Sequence, residues 1–112
     1  MRPSPPPAPR AGHRYGQAAT WHSIGYAHHY LRHHPEAIAA YRSSLALYRE
    51  LGSRYDQAVT LDHLGDTLHA THDDTAAAEC WHESLAILEQ LRHPNAADVR
   101  VKLDLSGSRL FH

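Results

Sequence analysis

The sequence predicts an all-α protein: a short α-solenoid of two helical hairpins followed by a C-terminal capping helix. Two observations carry this. The stretch 18–51 returns forty residues later as 58–91, and over positions 14–51 twelve of thirty-eight residues meet an identical partner at that offset. Among them are Ala18 with Ala58, Gly25 with Gly65, Ala37 with Ala77, Ser44 with Ser84 and Leu45 with Leu85. A period between about 20 and 50 residues marks a solenoid, in which each unit buries its apolar face against the next. Second, the apolar residues recur every three or four positions, which lines one face of a helix, and no strand-like alternation competes.

Residues 1–13 form a Pro-rich arm. Five prolines fall in the first ten positions, and proline removes backbone donors while fixing φ, so this arm is expected to be disordered or locally polyproline II. The first repeat covers 14–52. Its first helix, over 14–31, sets Ala18, Trp21, Ile24, Gly25, His28 and Leu31 on one face. Glycine inside a helix costs about 1 kcal/mol relative to alanine. The return of Gly25 as Gly65 therefore implies a steric reason: a neighbouring helix comes so close that only hydrogen fits. Pro35 opens the second helix with Glu36 in its first turn, Ala37, Tyr41, Leu45 and Tyr48 line its face, and Gly52 stops it. The second repeat covers 53–92, with Leu61, Leu64, Gly65 and Leu68 on one helix and Ala77, Trp81, Leu85 and Leu88 on the other. Asp73 and Asp74 place acid at the intervening N-terminus, where the helix dipole favours it. Asn95 is a candidate N-cap for a capping helix over 94–106, and 107–112 form a tail.

Composition narrows the function. No apolar run approaches the roughly 18 residues that a membrane span needs, and the N-terminus lacks a signal-like apolar core. The expectation is a cytoplasmic chain with no membrane partner. The single Cys80 is consistent with a reducing compartment. A net charge of −1 argues against direct nucleic-acid binding. That charge is uneven: residues 1–54 balance at +5 and 55–112 at −6. Head-to-tail packing or an acidic docking face follows from such a dipole. Ten Arg against one Lys, with twelve His, fits a GC-rich coding bias.

The residues that recur are those of a known family. Trp21, Ile24-Gly25, Ala37, Tyr41 and Ser44-Leu45, and again Leu61, Leu64-Gly65, Ala77, Trp81 and Ser84-Leu85, resemble the tetratricopeptide repeat (TPR). The forty-residue period is similar to the extended variety found in C-terminal arrays of bacterial NB-ARC-type signalling ATPases and transcriptional regulators. No phosphate-binding glycine loop accompanies it here. Three departures stand out. The aromatic usual eleven residues into the repeat is His28 or Leu68. The glycine usual between paired helices is missing, with Arg32 and His72 near its place. The paired Asn of extended arrays are replaced by His22-Ser23 and Asp62-His63.

The resemblance implies a concave face built from the first helix of each pair. It would hold His22, Ser23, Tyr26, His29 and Tyr30 from one repeat, and Asp62, His63, Asp66 and His69 from the other. One wall is aromatic and imidazole and the other acidic, which suits a protein or peptide with basic and apolar anchors. The predicted function is a protein–protein interaction module, not an enzyme, with no cofactor. Cys80 beside Trp81 reads as a small packing residue. No metal site is predicted: His29 and His33 stand at i,i+4 with His69 and Asp73 as counterparts, but neither pair forms a known metal motif, and only weak zinc or nickel binding in vitro is expected. The alternatives are a His-rich, metal-responsive binder and a non-functional fragment of a longer repeat protein. Two repeats with a cap fall short of the three or so needed for independent stability. The chain is therefore expected to be marginally stable or to self-associate through the face of its N-terminal helix. A monodisperse monomer melting well above about 60 °C would contradict this.

Overall fold

A computed structural model describes residues 10–110, with side chains for 12–106. Five helices follow in order: α1 Arg10–Tyr30, α2 His34–Leu51, α3 Arg54–Ala70, α4 Asp74–Gln90 and α5 Ala96–Leu110. Helices α1 and α2 form one antiparallel hairpin, α3 and α4 the next, and α5 lies against α4. Residues 1–9 of the expected Pro-rich arm and residues 111–112 of the tail lie outside the described residues.

Two boundaries differ from expectation. Helix α1 starts at Arg10, four residues before position 14, because no proline falls between Pro9 and Pro35 to block helical hydrogen bonding. Helix α5 runs on to Leu110 through Ser106 and Gly107. A single glycine costs only about 1 kcal/mol and does not by itself end a helix.

The helix ends share one closure. The N–H of His33, Ser53, Asp73 and His93 each donates to a carbonyl five residues back, on His28, Tyr48, Leu68 and Leu88, at 2.8–3.0 Å. The preceding residue donates three back, from Arg32 to His29, Gly52 to Arg49, His72 to His69 and Arg92 to Glu89. This is the Schellman motif, and it needs a left-handed residue at the position before the longer bond. Gly52 supplies it at φ 66°, while Arg32, His72 and Arg92 adopt φ 64°, 66° and 52°. At the helix starts, Pro35 occupies the first turn of α2 with Glu36. The Asp73 carboxylate caps α4 by accepting from the Ala76 N–H at 3.2 Å.

Inside each hairpin the same parts recur. Ser44 Oγ donates to the Ala18 carbonyl at 2.8 Å, and Ser84 Oγ to the Ala58 carbonyl at 2.7 Å. Ala18, Ala37, Ala58 and Ala77 are fully buried, which lets the helices approach. The close approach inferred for the glycines is present. A Cβ at Gly25 would lie 2.7 Å from Tyr41 Cδ1, and one at Gly65 would lie 2.6 Å from Trp81 Cδ1 and closer still to its Nε1. The core joins Tyr41 and Leu45 to Leu61, Leu64, Leu68, Trp81, Ile87, Leu88 and Val99, with Leu85 half-buried beside them.

Two expected packing residues stay outside this core. Trp21 and Ile24 are 42% and 37% exposed, whereas their counterparts Leu61 and Leu64 are 2% and 3% exposed. Helix α2 covers that face of α3. Among the described residues no helix covers the matching face of α1. Leu31 is exposed as well.

Candidate functional site

Helices α1, α3 and α5 present one continuous strip of polar and aromatic side chains. Its members bond mainly to one another. His22 Nδ1 lies 3.0 Å from Thr60 Oγ1, and Thr60 donates its own hydroxyl to the Asp56 carbonyl at 2.8 Å. The Thr60 oxygen therefore accepts from His22 Nδ1–H. This leaves His22 Nε2 as an acceptor for His63 Nδ1–H across 2.9 Å. Two turns further along, His29 Nδ1 meets Thr67 Oγ1 at 2.9 Å, and Thr67 donates to the His63 carbonyl at 3.3 Å. The His22 ring also stands edge-on to Tyr41, 5.4 Å between centroids. Two histidines expected to face a ligand thus stitch α1 to α3.

The imidazoles respond to this burial. Removal from water, then the neighbouring His63, pushes His22 from its ordinary value near 6.5 down to about 4. Burial likewise lowers His63. In the unfolded chain both rings take a proton near pH 6.5, so between that value and about 4 the unfolded state holds more protons. This contribution to stability is intact above about pH 6.5 and is lost as the pH falls toward 4. Discounted for partial solvent access, it amounts to about 2 kcal/mol for His22. Urea midpoints at pH 7 and pH 4.5 check this: the drop in the wild type should be clearly larger than in a His22→Gln/His63→Gln variant. Equal drops would dismiss it.

The acidic wall is also engaged. Lys102, from α5, places Nζ 2.7 Å from Asp62 Oδ1 and 2.9 Å from Asp66 Oδ1. Burial pushes Asp62 upward, and Lys102 offsets part of that. Burial pulls Lys102 downward, but its bonds to the two carboxylates outweigh this and hold its pKa above the ordinary value. The 2.7 Å separation is that of a charged pair. Sequence reasoning missed Lys102; its lone place among eleven basic residues was the available signal.

The remaining expected residues divide. Tyr26 and Tyr30 are exposed and lie against each other at 4.7 Å, with His63 6.1 Å from Tyr26. Ser23 is exposed. His69 Nδ1 pairs with Asp74 Oδ1 at 3.0 Å and its ring packs 5.6 Å from Trp81. A cavity of about 170 Å³ opens between Asp66, His69, Trp81, Lys102 and Leu105. The four candidate metal residues His29, His33, His69 and Asp73 do not come together among the described residues. Helix α1 ends at Tyr30, so His29 and His33 do not share a helix, and His29, His69 and Asp73 are held by Thr67, Asp74 and the Ala76 N–H. The half-buried Cys80 has its thiol pKa raised by burial, which disfavours the nucleophilic thiolate.

Among the described residues no helix is long and apolar enough to cross a membrane. Neither a curated protein nor a solved structure matches the chain. A family model for the tetratricopeptide repeat matches residues 16–90, and repeats of this family generally mediate protein–protein interaction. The match runs across both hairpins, whose internal bonds fall at the same separations, and the chain belongs to the tetratricopeptide repeat family.

Proposed function

We propose that this chain is a protein–protein interaction module that takes a peptide or helix along the strip formed by α1, α3 and α5. The observation that carries it is that the exposed pair Tyr26 and Tyr30 lies within electrostatic reach of Asp66, which together with Asp62 holds Lys102. Exposed tyrosines offer flat apolar area at low entropic cost, as at other recognition surfaces. The carboxylates already hold an ammonium group, so a partner's Lys or Arg would take the place of Lys102 between them. The forty-residue period supports a setting in the C-terminal part of a bacterial signalling or transcriptional regulator, in the cytoplasm.

A displayed peptide library selected on the full chain tests this. Enriched peptides should carry a basic residue near an apolar or aromatic one. Affinity should fall at least about tenfold on Tyr26→Ala/Tyr30→Ala and rise severalfold on Lys102→Ala. Peptides held equally by all three proteins would sink the proposal.

A second reading has its own observation, the exposed Trp21 and Ile24. They border a shallow groove of about 600 Å³ with Gly16 and Thr20. Since the matching face of α3 is covered by a helix, this face of α1 fits a helix too, including one from a second copy of the chain. Sedimentation of the same samples over a range of concentrations, with Trp21→Glu beside wild type, separates the two readings. Concentration-independent monomer in both would remove self-association.

A further inference from the structure

The turn between α1 and α2 gathers the side chains of His28, His33 and Glu36. His28 Nδ1 and His33 Nδ1 stand 3.2 Å apart, and a carboxylate oxygen of Glu36 lies within 4.8 Å of both. Two nitrogens bound to one tetrahedral zinc at about 2.0–2.1 Å are themselves about 3.3 Å apart. The imidazole pair therefore already spans one edge of a coordination tetrahedron. From this geometry we infer that His28, His33 and Glu36 form a binding site for a zinc-like divalent transition-metal ion, with the fourth position open to water or to a partner's side chain.

The backbone builds the site. On a continuous helix, residues five apart point in different directions, about 140° around the axis. Here the left-handed Arg32 and the His33 N–H bond to the His28 carbonyl fold the chain back, so that the two rings meet at 5.4 Å. His33 occupies the N-cap of α2, yet its side chain makes no capping bond. Its ring turns back toward His28. Pro35 fixes the chain between His33 and Glu36, and Glu36 has no cation paired with it among the described residues. His33 and Glu36 are exposed and His28 is half-buried, so the ion can enter without opening the core. Two imidazoles with one carboxylate select zinc, cobalt, nickel or copper over calcium or magnesium, which prefer all-oxygen shells. The bound ion would bridge the end of α1 to the start of α2 and fasten the first hairpin.

The test is a titration of the full chain with Co²⁺, read by its visible d–d absorption, followed by displacement with Zn²⁺. Wild type should take up one ion per chain in an intense, tetrahedral-type spectrum. His33→Gln/Glu36→Gln should bind at least about tenfold more weakly. His13→Gln/His82→Gln, exposed and outside the cluster, should match wild type. If His28→Gln disturbs folding, Glu36→Gln alone reads the same loss from an exposed position. Equal affinity in wild type and the cluster variants would overturn the inference. So would an equal loss in His13→Gln/His82→Gln, which would spread the ion over surface histidines.

Discussion

Gly65→Ala is expected to lower stability by about 2–3 kcal/mol and the melting temperature by about 10 °C or more. The new methyl group would overlap the Trp81 indole at its Cδ1 and Nε1. That ring is 3% exposed and cannot swing into solvent without emptying the centre of the second hairpin. It also donates its N–H to the Asp62 carbonyl at 3.2 Å, a bond of about 1 kcal/mol that any retreat loosens. The gain in helix propensity, about 1 kcal/mol, offsets only part of this. Gly16→Ala is the matched control: nothing lies within 4 Å of the added atom, and the same propensity term should raise stability there. Thermal melts of both variants by circular dichroism check the pair. Similar shifts for both would mean that close approach is not why glycine stands at 65.

The opposite sign is expected for Arg32→Gly/His72→Gly/Arg92→Gly. All three positions lie at positive φ, which costs a residue with a Cβ roughly 1–2 kcal/mol. Glycine removes that strain, though it adds freedom to the unfolded chain worth roughly 0.4–1 kcal/mol. The net gain is about 0.5–1 kcal/mol per site. The sites close three different helix ends and should add, raising the melting temperature by about 10 °C. Urea midpoints should move upward with an unchanged slope. No gain from the triple variant would refute the strain argument. His72→Gly alone, in the turn between α3 and α4 and not in the His28, His33 and Glu36 cluster, keeps this test separate from metal binding.

The fold was legible because a solenoid repeats its instructions. Gly25 and Gly65, Ala37 and Ala77, and Ser44 and Ser84 mark the same contact twice, and a residue that is unfavourable in isolation but returns at the same offset reveals its neighbour. Exposure was less legible. Trp21 and Leu61 carry the same apolar message, but only a covering helix buries it, and a single period cannot say whether one is there. Less legible again were the bonds of the strip. That His22, Tyr26, Asp62 and Asp66 share helical faces follows from spacing. That His22 selects Thr60, and Lys102 selects Asp62 and Asp66, depends on how far one helix slides along the next. The His28 and His33 pair was hidden for a related reason. Helical spacing separates them, and only the left-handed turn at Arg32 brings them together.

The shortness of the separations has a kinetic consequence. Hydrogen bonds between helices join residues no more than 41 apart among those described, from Tyr15 to Asp56 and from His22 to His63. Among the described residues, the helices that pack closely lie one or two places apart in order. Every contact can therefore close soon after its own hairpin and the next have been made. Rich in local contacts, such a chain belongs with the fast folders. During synthesis the first hairpin can lock through Ser44 and Ala18 while the second is still being added, and the seam through His22 and His63 can zip as α3 emerges.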